Sequence, residues 1–401
     1  MWQHQDEAIC QFLKHRHGIL EMATGTGKTR TAIRIMKELL NTEEIKQILV
    51  IVYGNDLLTQ WYREVLQYID DLMVYRWYGG YNEASRFLLY RGKKLLLVSR
   101  ESSHLTMLLD RIEKDDPSGE VRKHTFLVFD EAHGVGSEQF RNSLKGRFEK
   151  YGFRLGLSAT PVRVFDSEGT DFITKEIGPV IYSFGLEEAI RAGILCELSY
   201  IPISYQLTPE EKQKKKKLIA AFAIRKKNGD SPSEEDLYRD LARVNKLAQN
   251  KLLLFQKYLE KHPEILEQCI LFVETKEYGK KLQQIIIDYT YQYHTYYAED
   301  DRNNLLKFAN GKFDCLITCR KISEGIDIKS VKNIVLFSSD RGHLVTTQRI
   351  GRSLRKNPYD VNKKACVVDF ICESGRENDT TADQERKEWL SNLARVRSEE
   401  R

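Results

Sequence analysis

Short, unbroken apolar runs recur along the chain, each about the length of one strand. Gln47 to Tyr53, Leu95 to Ser99, Thr125 to Phe129 and Phe153 to Leu157 form a first set. Cys269 to Val273, Asp314 to Thr318, Ile334 to Phe337 and Ala365 to Phe370 form a second. None alternates polar with apolar, so each predicts a strand buried on both faces, as in a parallel sheet covered by helices. Helix-like stretches separate them, such as Leu57 to Tyr68 after a Gly54-Asn55-Asp56 break. Strand–helix alternation of this kind predicts an α/β fold with doubly wound parallel sheets. The first 17 residues predict a short helix leading into the first strand.

Between the two sets the pattern changes. Thr208-Pro209-Glu210-Glu211 supplies an N-cap, a proline at the first helical position and a carboxylate two residues on, so a helix starts there. Ser231-Pro232-Ser233-Glu234 predicts a second start, with a helix running through Leu237, Leu241, Val244, Leu247 and Leu252 to Leu254. Residues 208–248 therefore read as a helical insertion. Lys212 and Lys214 to Lys217 crowd its first helix, either as a grip on phosphate or as a solvated face, and the solvated face is favoured. Tyr291, Tyr293, Tyr296 and Tyr297 offer either base stacking or core packing, and packing is favoured for most of them. From Glu373 the chain is highly charged, which predicts a loosely held helix with Trp389 as its one anchor.

The first apolar piece carries chemistry. Gly18 to Met22 runs into Ala23-Thr24-Gly25-Thr26-Gly27-Lys28-Thr29 and then a helical run from Arg30. A strand, a glycine-rich turn, Lys-Thr and a helix make a phosphate-binding loop. Gly25 and Gly27 allow the backbone N–H groups to curl around phosphate oxygens, and the helix start adds partial positive charge. Lys28 is the cation for the β- and γ-phosphates, and the Thr29 hydroxyl is a ligand for Mg²⁺. Met22 stands where the strict pattern has glycine.

A second constellation follows. The run Thr125 to Phe129 ends in Asp130-Glu131-Ala132-His133. Two carboxylates at the C-terminal end of a buried strand suit a hydrolytic nucleotide site. Asp130 is placed to hold Mg²⁺ directly or through water, and Glu131 to orient the attacking water. Ser158-Ala159-Thr160 ends another strand and has hydroxyls for neighbouring carboxylates, a weak signal alone.

Composition narrows the class. The 401 residues are 41% hydrophobic and 30% charged, with a net charge of only +5. That suits two or three soluble domains with local basic patches, and excludes a polybasic arm. No apolar run approaches a membrane span, and the polar N-terminus lacks a signal peptide, which points to the cytoplasm. The seven cysteines include no Cys-x-x-Cys, which argues against a zinc or iron–sulfur site. Most lie in apolar runs and read as reduced core thiols.

Taken in order, Gln5, Ala23 to Thr29, Asp130 to His133, Ser158-Ala159-Thr160, Ser323-Glu324-Gly325-Ile326-Asp327 and Gln348 to Arg355 resemble the motifs of a superfamily 2 helicase of the DEAH type. The resemblance covers nearly the whole chain from Gln5 to Phe370. Leu155 to Arg163 and Gln348 to Arg355 are most similar to the DNA-acting branch, which holds XPB-type and UvsW-type helicases and the motor subunits of type I and type III restriction enzymes. It implies two tandem RecA-like domains, at 1–195 and 196–372, with the insertion in the second and a charged tail at 373–401. It implies ATP and Mg²⁺ between them. Gln5 is then the adenine contact. Thr24, Gly25, Thr26, Gly27, Lys28, Thr29 and Asp130 hold phosphates and metal, with Gly325, Asp327 and Gln348 contributing from the second domain. Glu131 is the catalytic carboxylate. Arg352 and Arg355 neutralise the γ-phosphoryl as it leaves. His133, Ser158 and Thr160 couple nucleotide state to domain closure. Tyr53, Gly54, Ser99, Arg100, Thr275 and Thr318 touch the nucleic-acid backbone.

The expected activity is an ATP-dependent DNA helicase or translocase, in repair, recombination or restriction. The extra N-terminal domains of XPB and UvsW are missing, and no nuclease cluster is visible. A nuclease or targeting subunit is therefore the expected partner besides DNA. An ATP-gated nucleic-acid clamp and an RNA helicase are the alternatives.

Overall fold

A computed structural model describes residues 2–162, 166–319, 331–338, 343–357, 360, 362–373 and 381–397. The chain divides into two compact units that meet in sequence at Ala189 and Ile190. The expected site positions Gly325 and Asp327 lie outside the described residues.

In the first unit the elements follow as α1 (Gln3–His15), β1 (His17–Met22), α2 (Lys28–Asn41), β2 (Gln47–Val52), α3 (Asn55–Tyr68), β3 (Met73–Tyr78), β4 (Tyr81–Asn82), α4 (Ala84–Leu89) and β5 (Lys94–Ser99). Then come α5 (Ser102–Asp115), α6 (Glu120–Lys123), β6 (Thr125–Asp130), α7 (Glu138–Leu144), β7 (Phe153–Ser158), α8 (Ser167–Glu176), β8 (Val180–Phe184) and α9 (Leu186–Arg191), the last crossing the boundary. The sheet order is β4-β3-β5-β2-β6-β7-β1-β8. All its pairings are parallel except β3 with β4. Strands β2, β5 and β6 are buried at every position, as their unbroken apolar runs require. Two apolar clusters cover the two faces of this sheet. One gathers α1, α2 and α3 around Trp61, and the other α5, α7 and α8 around Phe129 and Phe148.

In the second unit the order is β9 (Leu198–Tyr205), α10 (Pro209–Lys227), α11 (Glu234–Lys246), α12 (Asn250–Leu259), β10 (Cys269–Phe272), α13 (Lys276–Ile286) and β11 (Tyr293–Tyr296). It continues with α14 (Arg302–Ala309), β12 (Cys315–Thr318), β13 (Asn333–Leu336), α15 (His343–Ser353), β14 (Ala365–Cys372) and α16 (Ala382–Leu393). Its six strands run β11-β12-β10-β13-β14-β9, all parallel. Both units are RecA-like in this sense: a parallel sheet between helices, with strand C-termini on a common edge.

The interior strands other than β3 stand where the apolar runs place them. Five strands carry no such run: β3, β4, β8, β9 and β11. Four of these form the ends of the two sheets, where one side lacks a neighbour and polar positions are tolerated. β9 even carries Pro202.

Three helical expectations change. Thr208 and Glu211 do form a reciprocal capping box with Pro209 beside it. The next helix, however, is capped by Ser233 rather than Ser231, its hydroxyl accepting from Asp236 N at 3.3 Å. It stops at Lys246, and Ala248 is fully buried in a break before α12, where Gln249 N donates to Glu211 Oε1 at 2.9 Å. The charged tail is not loosely held. Arg386 in α16 is buried and donates to Asp369 Oδ2 at 2.8 Å and Asp383 Oδ1 at 3.0 Å, with Leu390 and Leu393 packed inside. Trp389 is only half-buried. Of the four tyrosines, Tyr296 and Tyr297 are buried and Tyr291 is 85% exposed.

Candidate active site in the first unit

The phosphate-binding loop forms where β1 enters α2. Gly25 and Gly27 have φ of 91° and 88°, a region open to glycine at little cost. Gly27 is also the N-cap of α2, and no side chain caps the helix. The N–H groups of the first turn therefore face outward as a ready anion site. Thr26 is fully buried, and its hydroxyl donates to Ala23 O at 2.7 Å, closing the loop from inside. Thr24 and Thr29 are half-buried beside it. Lys28 Nζ donates to Met22 O at 3.2 Å.

The loop is braced from α1. Gln5 Nε2 donates to Thr26 O at 3.2 Å, and His4 Nε2 lies 2.9 Å from the same oxygen. His4 stacks on Phe184 of β8 at 4.2 Å between centroids. Burial lowers its pKa, which favours the neutral ring. Gln5 therefore supports the loop backbone. His4 was not singled out from sequence; a lone histidine beside a terminus carries no signal.

Asp130 and Glu131 follow directly from β6. Asp130 is buried, and both its oxygens are engaged. Oδ1 accepts from Glu131 N at 2.9 Å, and Oδ2 accepts from the indole Nε1 of Trp61 at 2.8 Å. Burial raises its pKa to about 6, and the Glu131 charge pushes the same way. Lys28 and the Trp61 hydrogen bond oppose this. Lys28 follows β1 and Asp130 ends β6, with only β7 between the two strands, so both motifs lie on the same edge of the sheet. Trp61 is fully enclosed on α3, and it too was not legible as a site residue. Its apolar spacing with Leu58 and Val65 reads as core, and only the fold brings its N–H to Asp130.

Glu131 has φ of 48°, uncommon for a non-glycine residue. Its carbonyl accepts from Arg100 Nη1 at 3.0 Å. Its carboxylate Oε2 lies 3.3 Å from His133 Nδ1, and the same nitrogen is 3.5 Å from Ser158 Oγ. Ser158 Oγ in turn accepts from Thr160 N at 3.1 Å. The carboxylate expected to work on water therefore stands beside the imidazole that borders the end of β7, its Oε2 making no hydrogen bond.

The remaining expected residues divide by position. Tyr53, Gly54 and Arg100 follow the C-terminal ends of β2 and β5, on the same edge as Glu131. Tyr53 is 59% exposed, and Arg100 lies over its ring at 5.4 Å. Ser99 is buried, with its hydroxyl 3.3 Å from Glu101 Oε1. In the second unit Thr275 caps α13, accepting from Tyr278 N at 3.2 Å. Thr318 is enclosed, and its hydroxyl donates to Tyr296 O at 2.8 Å. That hydroxyl bonds within the sheet, at the C-terminal end of β12.

Gln348 and Arg352 lie one turn apart on α15, and Arg352 is buried. Arg355 lies just beyond the helix, not on it, and pairs with Leu195 in an isolated bridge. Their neighbour Arg349 packs over Phe272 at 4.4 Å and donates to Ser338 O, a structural role.

A phosphate-binding loop beside an acidic pair, on the first of two RecA-like units, defines the class: a P-loop enzyme built to bind and hydrolyse a nucleoside triphosphate. Residues 1–163 match the family described as type III restriction enzyme, res subunit, and residues 250–357 match the helicase conserved C-terminal domain. The chain is 25% identical over 394 residues to "DNA 3'-5' translocase XPB2" of Sulfurisphaera tokodaii, covering 92% of this chain and 80% of the relative. It is 24% identical over 365 residues to "Putative helicase 22" of a Sulfolobus islandicus filamentous virus, covering 88% and 60%. Among solved structures, "ATP-dependent Type ISP restriction-modification enzyme LlaBIII bound to DNA" matches with a TM-score of 0.66 at 18% identity, covering 99% of this chain and 30% of that one. That last likeness speaks for the fold alone. The chain belongs to superfamily 2 of the helicases, related to XPB-type translocases and restriction motor subunits, and is an ATP-dependent enzyme of that class. Among the described residues, no helix is long and apolar enough to cross a membrane.

Proposed function

We propose that this chain is a motor that hydrolyses Mg²⁺–ATP to move on, or remodel, DNA. One observation carries the reading: the phosphate loop after β1 and the Asp130, Glu131, His133 and Ser158 cluster at the ends of β6 and β7 stand on one edge of neighbouring strands. The loop fits a triphosphate because its two glycines and uncapped helix leave backbone donors free. The donor set also fits Mg²⁺, which prefers hard oxygen ligands and keeps several waters. Thr29 would hold it directly and Asp130 through water, since both Asp130 oxygens already accept a hydrogen bond. When bound there, Mg²⁺ would supply positive charge against the phosphate oxygens. Glu131 orients the water and takes its proton, with the His133 ring 3.3 Å from its carboxylate.

Gln348, Arg352 and Arg355 are the second unit's proposed contribution to turnover, while Gly325 and Asp327 lie outside the described residues. Phosphate charge draws the arginines in, and hydrolysis removes that attraction. The alternation moves the protein if each unit holds the phosphates of one strand. Tyr53, Gly54 and Arg100 are the first unit's share of that hold, and the backbone at Thr275 the second's. Binding should then be salt-sensitive and tolerant of sequence. DNA is favoured over RNA by the XPB2 relative, whose name specifies DNA. The free cysteines suit a reducing cytoplasm, and a nuclease or targeting subunit would supply what a motor lacks.

The test is steady-state ATPase of the purified chain with single-stranded DNA, duplex DNA or duplex RNA. The reading expects strong stimulation by DNA. Stimulation by RNA alone would replace it with an RNA helicase. ATPase with neither strand displacement nor roadblock displacement would favour the clamp.

A further inference from the structure

The edge that carries Glu131 also carries an exposed ring, and one side chain joins them. β5, β2 and β6 are neighbours in the sheet, with Ser99 beside Val52 and Ile51 beside Phe129 in register. The residues after these three strands are Arg100, Tyr53 and Glu131 respectively, so the three stand side by side. Arg100 N donates to Val52 O at 2.8 Å, which fixes its backbone to β2. Its guanidinium lies over the Tyr53 ring and donates to Glu131 O. It also rests directly against Gly134: a Cβ there would come within 2.1 Å of Nη1 and 2.2 Å of Nη2. Gly134 does not have a positive φ, so the room for the guanidinium, and not backbone conformation, is what glycine supplies there.

Resting on the DNA-motor reading above, we propose that Arg100 is a positioning residue that transmits occupancy of the nucleic-acid face at Tyr53 to the backbone setting of Glu131. The left-handed φ of Glu131 is held only while its surroundings enforce it. Arg100 enforces it from the side, through the carbonyl. A strand seated on Tyr53 removes water from the ring and the guanidinium. A cation over a ring is attracted more strongly once desolvated, and a charged hydrogen bond likewise. Seating a strand therefore stiffens the Tyr53–Arg100–Glu131 link, and the carboxylate is held where it orients water. Without a strand the exposed ring is solvated and the link is slack.

The experiment measures ATP turnover of the full chain, at saturating single-stranded oligonucleotide and without it, alongside oligonucleotide affinity by anisotropy. Wild type comes first. If DNA does not stimulate it, the DNA-motor reading fails before any variant is made. Given stimulation, Gly134→Ala displaces the guanidinium while keeping every charge. It should cut the ratio of stimulated to unstimulated turnover by about fivefold or more, the scale of typical coupling between sites, read at oligonucleotide concentrations that saturate the variant. Arg100→Ala should cut the ratio as well. Arg100→Lys should not restore it, because an ammonium cannot stack and donate in the same plane. Tyr53→Leu, at an exposed position, keeps the assay usable if an Arg100 variant fails to fold. It should lower the ratio too. An unchanged ratio in Gly134→Ala and Tyr53→Leu would overturn the proposal. So would a fall in turnover by the same factor with and without DNA, or full rescue by lysine.

Discussion

Each unit has a buried strand that runs into a helix, and the two junctions differ in one respect. In the first, β1 meets α2 through Gly25 and Gly27, and no side chain caps the helix. In the second, β10 meets α13 through Thr275, whose hydroxyl accepts from Tyr278 N. Nearby, Glu274 is held by Ser338 at 2.7 Å and Lys246 at 3.4 Å. The second junction has satisfied itself, while the first leaves its amides open for an anion. Of the two junctions, the first is the one that leaves an uncapped helix start for an anion.

The largest expected effect removes the open junction's own cation. Lys28→Ala should abolish ATP turnover, and Glu131→Gln should keep ATP binding while stalling hydrolysis and trapping nucleic acid. Near-normal turnover in the Glu131 variant, followed by phosphate release, would take that residue out of its role. Next comes the second unit's contribution. Arg352→Ala should lower kcat by about 10³–10⁵, the worth of arginines in related phosphoryl transfer, with ATP binding to the first unit retained by equilibrium titration. Unchanged kcat would leave the first unit working alone.

Trp61→Phe keeps the ring packing and deletes the hydrogen bond to Asp130 Oδ2. Groups that orient a metal-holding carboxylate are typically worth about 10–100-fold in metal affinity or activity. A Mg²⁺ titration of nucleotide binding should therefore shift to higher concentration; an unshifted titration would reduce Trp61 to core packing. Smallest is the lysine helix α10, where no residue is buried. Changing Lys214 to Lys217 into Gln tests whether this face of the second unit grips phosphate. Every lysine that neutralises a DNA phosphate should, once replaced, flatten the log–log salt dependence of binding by about 0.7–0.9. An unchanged slope makes the helix a solvated face, the reading favoured from sequence.

What the sequence disclosed follows from how each feature is encoded. β2, β5, β6, β10, β12 and β13 were legible because burial on both faces demands an unbroken apolar run. β8, β9 and β11 were hidden because a sheet edge relaxes that demand. The phosphate loop and the Asp130–Glu131 pair were legible because their chemistry lies in adjacent residues. Trp61 and His4 were not, since each acts through a partner that only the sheet order or the loop closure brings near. Arg100 was expected at the nucleic-acid face, and its second bond, to Glu131 O, appears only once β5, β2 and β6 are seen as neighbours. The tail misled for a related reason. Its charge suggested solvent, yet Arg386 is buried against two carboxylates.

The central proposal, that arginines of the second unit act on the nucleotide held by the first, is tested most directly by the structure of the Glu131→Gln chain with Mg²⁺–ATP and a DNA strand bound. The account predicts that the guanidinium of Arg352 or Arg355 lies within hydrogen-bond reach of the γ-phosphate, opposite Lys28. A γ-phosphate contacted only by residues of the first unit would contradict it.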